Sequence, residues 1–138
     1  MYKTILVTVE MTPTDRAIID HVKLLAAAMG SRVTLLHVAT GAAARWRGAD
    51  AGGEEVDKAN AYLEQVRKEF EQAGISANGQ LAYGDPVKEI VAWVEKNGCD
   101  LVAMSTHGHR LVADVVLGAT ASRVQHSIRT PVLLIRAS

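Results

Sequence analysis

Thr4-Ile5-Leu6-Val7-Thr8-Val9 is short, uncharged and β-branched, and Arg32-Val33-Thr34-Leu35-Leu36-His37-Val38 repeats that character. Both read as buried strands. Between them the residue period changes. Thr12-Pro13-Thr14-Asp15 carries helix-start chemistry, with Thr12 as N-cap, Pro13 in the first turn and Asp15 three residues on. Ile18, Val22, Leu25 and Met29 then recur at spacings of four, three and four, which puts them on one helical face, and Gly30 ends the run. A strand, a helix and a second strand in direct succession predict a parallel βαβ unit.

The alternation continues toward the C-terminus. Residues 39–53 lose all periodicity, with Gly41, Gly48, Gly52 and Gly53 around Trp46, and read as a long surface loop of the kind that is mobile or functional. Trp46, flanked by Arg45 and Arg47, suits a lid, a partner contact or a disordered stretch equally. Glu54–Ala73 is a helix with Val56, Ala59, Leu63, Val66 and Phe70 inward and a solvated acidic outer face. Ser76–Tyr83 is a weaker strand, placed at an edge by Asn78 and Gly79. Asp85 as N-cap and Pro86 at the first helical position open the next helix, which buries Val87, Ile90, Val91 and Val94. Cys99–Met104 is a strand, Ala119–Arg129 a helix and Pro131–Arg136 the last strand. The expected architecture is a single α/β domain over residues 1–138. It is a doubly wound, Rossmann-like, mainly parallel sheet of five strands with helices on both faces.

Composition narrows the function classes. The 138 residues hold 15 Lys+Arg and 15 Asp+Glu, and 49% are hydrophobic, so neither disorder nor generic nucleic-acid binding is expected. One cysteine, Cys99, excludes an intramolecular disulfide and a Cys-rich metal site; opening a strand with no basic neighbour, it reads as inert. No apolar stretch approaches the roughly 20 residues of a membrane span, and the first residues lack signal-peptide features. A soluble, cytoplasmic protein without membrane contact is the expectation.

In a doubly wound sheet, ligands bind beyond the carboxyl ends of the strands, where the strand order reverses. The candidates are Glu10, Val38 to Thr40, Gly84-Asp85 and the segment after the fourth strand, Met104-Ser105-Thr106-His107-Gly108-His109-Arg110. Gly118-Ala119-Thr120 opens a helix ten residues beyond Gly108. Phosphate recognition calls for exposed backbone N–H groups, a helix N-terminus and no side chain in the way, which Gly108, Gly118, Ala119 and Thr120 supply, with His109 and Arg110 adding positive charge. Residues 101–138 hold four Arg and three His against Asp114 alone, which favours an anionic ligand at this end. Neither G-x-x-x-x-G-K-[ST] nor G-x-G-x-x-G after the first strand is present, so the chain is neither a P-loop enzyme nor a standard dinucleotide binder.

These residues resemble the universal stress protein family over essentially the full length, from Met1-Tyr2-Lys3-Thr4-Ile5-Leu6-Val7 to the closing Thr130-Pro131-Val132-Leu133-Leu134-Ile135-Arg136. The family's nucleotide-binding branch carries G-x2-G-x9-G-[ST]; here the pattern reads Ser105-x2-Gly108-x9-Gly118-Ala119. The resemblance implies a five-stranded fold, a stress-response role, ATP binding with Mg2+ and a homodimer formed through Val132, Leu133, Leu134 and Ile135. It places Thr8, Val9, Glu10, Val38 and Met104 at the base and ribose end. Ser105, Gly108, His109, Arg110, Gly118, Ala119 and Thr120 then fall at the phosphate end. Three positions depart from the pattern: Ser105 stands at the first glycine, Ala119 at the last hydroxyl residue, and Glu10 where the family usually has Asp.

Alternatives stay open beside this reading. Gly108 and Gly118 also suit a turn and close helix packing, and Glu10 suits a solvated strand end. His107 and His109, two apart, fit turn polarity or phosphate proximity better than a metal site. His37 reads as a satisfied core histidine, and His21 and His126 as surface residues. The alternative function is a dimeric interaction module that binds no nucleotide and acts through an unknown protein partner. Catalysis is not expected beyond weak ATPase activity, since the motif has no Lys and no base placed for in-line attack.

Overall fold

The structure, a computed structural model, describes residues 1–39, 50–107 and 120–137. Five strands, β1 (Thr4–Thr8), β2 (Arg32–Ala39), β3 (Ala77–Tyr83), β4 (Leu101–His107) and β5 (Val132–Ala137), form one parallel sheet in the order β3-β2-β1-β4-β5. They are linked through α1 (Asp15–Met29), α2 (Asp50–Gln72), α3 (Pro86–Asn97) and α4, helical over 120–127. The chain winds from β1 out to β3, then returns to the other side of β1 for β4 and β5. The order therefore reverses between β1 and β4.

Side-chain alternation sorts the core into two layers. Ile5, Val7, Val9, Val33, Leu35, Leu101 and Ala103 face α1 and α2, meeting Ile18, Ile19, Val22, Leu63, Val66 and Phe70. Leu6, Leu36, Val102 and Met104 face α3 and α4, meeting Val87, Ile90, Val94, Ala121 and Val124. β1, with both faces covered, is buried from Ile5 to Thr8. Phe70, wholly buried, contributes about 2–3 kcal/mol by removal of its ring from water. Gly79 sits in the edge strand because a Cβ there would come within 3.0 Å of Leu63 Cβ on α2. Gly30 ends α1 with φ at 67°, its N–H bonded to Ala26 O.

Asp85 caps α3 as expected, accepting from Lys88 N at 2.9 Å, and Pro86 opens the helix. Several boundaries differ from the sequence reading, most by a residue or two. α1 begins at Asp15, not at Thr12-Pro13, and its N-cap Thr14 makes no side-chain cap bond. Asp15 turns its carboxylate back onto the preceding turn instead, and residues 12–16 close by Asp15 N to Thr12 O and Arg16 N to Pro13 O. Met29 is exposed and Leu25 only half-buried, whereas Ile19 and Ala26 take core positions, so the buried stripe is rotated from the one expected. α2 starts at Asp50, so residues 50–53 are helical rather than loop; Trp46 and residues 40–49 lie outside the described residues. β4 starts at Leu101 instead of Cys99 and runs on through Ser105-Thr106-His107, because β5 pairs with it as far as His107↔Ala137.

Among the described residues, no helix is long and apolar enough to cross a membrane.

Candidate functional site

The carboxyl ends of β1 and β2 open into a cavity of about 450 Å³. It crosses the top of the sheet, from Val56 and Ala59 of α2 on one face to Pro86 and Ile90 of α3 and Thr120 of α4 on the other. Leu36, Val38, Leu81 and Ile90 give it an apolar lining; Thr8, Glu10, His37, Glu55 and Lys58 supply polar groups. A largely apolar recess with a few placed polar groups, beyond the carboxyl ends of the strands, is what a small-molecule site in this architecture requires.

The β1 exit is held from behind. The Asp15 side chain, 1% exposed, accepts from Glu10 N at 2.9 Å, from Met11 N at 2.9 Å and from the Tyr62 hydroxyl at 2.5 Å. Met11 has φ at 63°, a left-handed conformation that costs a non-glycine residue about 1–2 kcal/mol. Hydrogen bonds to a carboxylate contribute about 1.5–3 kcal/mol each, enough to hold the turn there. Burial pushes the Tyr62 phenol above its usual range, and its bond to Asp15 pushes it further, so it stays protonated as the donor. His37, read as a core histidine, is half-buried and lines the cavity; its Nδ1 lies 2.9 Å from Val9 O. A carbonyl only accepts, so that contact assigns the proton to Nδ1 and leaves Nε2 as acceptor in the neutral ring.

The β4 exit is different. Met104 is 4% exposed and packs in the α3–α4 layer; Ser105 is 8% exposed, and its hydroxyl has no hydrogen-bond partner among the described residues. Neither lines the cavity. Of the candidate residues, Thr8, Val9, Glu10, Val38 and Thr120 do. Gly108, His109, Arg110, Gly118 and Ala119 lie outside the described residues.

Residues 1–136 match the model of the Universal stress protein family. The chain belongs to this family. Universal stress protein MJ0577 of Methanocaldococcus jannaschii is 26% identical over 155 residues, covering 99% of this chain and 96% of the relative. Its solved structure superimposes with a TM-score of 0.85 over 100% of this chain and 98% of that one. Universal stress protein A homolog 2 of Coxiella burnetii is 31% identical over 146 residues, covering 98% and 95% of the two chains. A universal stress protein solved in complex with cAMP shares the fold, with a TM-score of 0.78 at 22% identity over 99% of each chain.

Sequence reasoning missed the α2 wall of the universal stress protein cavity and the residues that brace its β1 exit. Val56 and Ala59 carry the signal for an inward face but not for what they face at the top of the sheet. Asp15 reads as a helix-start acid, and Tyr62 stands just before Leu63 in an otherwise ordinary amphipathic repeat. Burial, then the neighbouring Asp100 carboxylate, pushes the Cys99 thiol up to about 11, the direction that disfavours a reactive thiolate. Among the described residues no group of three His, Cys, Asp or Glu is placed to hold a metal ion.

Proposed function

We propose that this universal stress protein is a regulatory protein that binds ATP in the cavity above β1 and β2, and that it works as a homodimer. The observation that carries the reading is the cavity itself: about 450 Å³, within the range of small-molecule sites, at the carboxyl ends of β1 and β2 in a doubly wound sheet. Leu36, Val38 and Ile90 suit an adenine ring, and the Glu10 carboxylate suits ribose hydroxyls as donors. Glu10 and Glu55 make the β1 side unfavourable for phosphates, which favours the α4 side, where Thr120 and the motif residues Gly108, His109, Arg110, Gly118 and Ala119 belong in sequence. Mg2+ needs no protein cage there, since it is commonly held by phosphate oxygens and waters. The cAMP complex of a protein with this fold supports an adenine nucleotide as the ligand class.

Occupancy regulates only if ATP binds two states of the protein with different affinity. β5 supports the dimer: it is an edge strand with Leu134 41% exposed, open to pairing with a second copy. A proline at 133 or 134 is expected to give a monomer in sedimentation; a dimer there places the interface elsewhere.

The deciding experiment is a calorimetric titration with Mg-ATP after checking that no nucleotide co-purified. Saturable binding of one ATP per chain, lost in Val38→Trp, is the expected result. No heat at several temperatures, with nothing already bound, overturns the reading. Ser105, Glu10 and Ala119, the three departures from the family's pattern, favour the alternative, a dimeric module acting through a protein partner.

A further inference from the structure

The cavity's β1 wall depends on two residues that do not line it. Asp15 and Tyr62 form a bracket: the Tyr62 hydroxyl, on α2, donates to the Asp15 carboxylate, which in turn accepts the backbone N–H groups of Glu10 and Met11. Both of those residues line the cavity. One turn before Tyr62 on α2, Ala59 lines it as well. The bracket therefore joins two walls that belong to different elements, the turn after β1 and the first half of α2.

The turn is not one the chain adopts unaided. Met11 holds a left-handed conformation that a methionine seldom takes, and such a conformation persists where its surroundings over-determine it. Behind it, the surroundings are the Asp15 carboxylate, buried and bonded to three donors. On its far side the turn borders a second cavity between α1 and α2, lined by Met11, Arg16, Ile19, Tyr62, Val66 and Glu69. The Asp15 carboxylate thus fixes where the Glu10 and Met11 amides stand.

We infer that Asp15 and Tyr62 are positioning residues of the nucleotide site, holding the Glu10–Met11 turn and the α2 wall in the register that binds the ligand. This rests on the ATP reading above and adds to it the residues that pre-organise the ribose side. Pre-organisation raises affinity by removing an ordering cost from the binding step.

The test uses the full chain with two readouts, Mg-ATP affinity by calorimetry and amide hydrogen exchange at Glu10 and Met11 without ligand. Tyr62→Phe keeps the ring and removes only the donor. It is expected to remain folded, to exchange faster at both amides and to bind ATP about tenfold more weakly, the scale of one charge-assisted hydrogen bond. Asp15→Ala is expected to weaken binding further. Adding Met11→Gly, which accepts the left-handed turn without help, is expected to recover part of the affinity, a rescue that a purely structural role would not allow. If Tyr62→Phe binds ATP as the wild type does, or if neither amide exchanges faster, the bracket does not position the site. If the wild type itself binds no ATP, the nucleotide reading has failed and this inference falls with it.

Discussion

At the start of β1 the Asp100 carboxylate accepts from Lys3 N at 2.7 Å and Thr4 N at 3.0 Å; at its end the Asp15 carboxylate does the same for Glu10 and Met11. The two latches share one chemistry and differ in medium. Asp100 is exposed, so water replaces either partner whenever the latch opens. Asp15 is 1% exposed, and opening its latch leaves a carboxylate buried without its donors. A surface latch merely trims a strand end. A buried one dictates the conformation of the chain that follows it, here the wall of a cavity.

The largest effect expected is from Asp15→Ala, which removes the acceptor from three donors and is expected to cost about 3 kcal/mol of stability. Asp100→Ala, measured in the same denaturant titration, is expected to shift the midpoint far less. Equal shifts would mean that burial is not what separates the two ends.

Tyr62→Phe is expected to cost about 1.5 kcal/mol at neutral pH, one hydrogen bond to a charged acceptor. It also has a pH signature. The Tyr62 phenol is raised above its ordinary 10.0 in the folded chain, so its contribution is complete below that value and is lost as pH rises beyond it. Wild-type stability is expected to fall above that pH more steeply than that of Tyr62→Phe; parallel profiles would show that the phenol is not held by Asp15.

Ser105 is buried within β4, and its hydroxyl has no partner among the described residues, so the comparison predicts the opposite sign. Ser105→Ala is expected to raise stability by about 1 kcal/mol, because a desolvated hydroxyl with no acceptor or donor among the described residues is removed. A loss on the same scale would reveal a hydrogen-bond partner for that hydroxyl.

The smallest effect is at the exposed latch. Hydrogen bonds from Thr4 N and then Lys3 N hold the Asp100 carboxyl below its usual 3.8. The stability it adds is present above that value and lost as pH falls through its lower folded one. Asp100→Asn is expected to narrow the gap between neutral and acid stability slightly; an unchanged gap would show that the Asp100 latch is not formed in solution.

Much of the fold was legible because it rests on local period and punctuation. The switch between alternation and three-four spacing marked every described strand and helix. Asp85-Pro86, Gly30 and the polar β3 were read for the right physical reasons: a cap, a left-handed stop and an edge. The errors fell where long-range contact overrides local chemistry. Thr12-Pro13 looks like a helix start, but Asp15 is drawn away from capping by Glu10, Met11 and Tyr62. β4 was read as ending at Met104, but pairing with β5 carries it through His107.

The site divides the same way. Glu10 and Val38 were identifiable as cavity-lining residues because strand ends face the ligand side of a parallel sheet, and the family resemblance added Thr8 and Val9. The sequence by itself determined the alternating elements, the two-faced core and the family. Only the tertiary structure decided that α2 walls the cavity, that Ser105 is sealed within β4, and that Tyr62 and Asp15, 47 residues apart, meet behind the β1 exit. Spacing along the chain encodes which face a side chain takes, whereas a hydrogen bond between distant elements exists only once packing has brought them together.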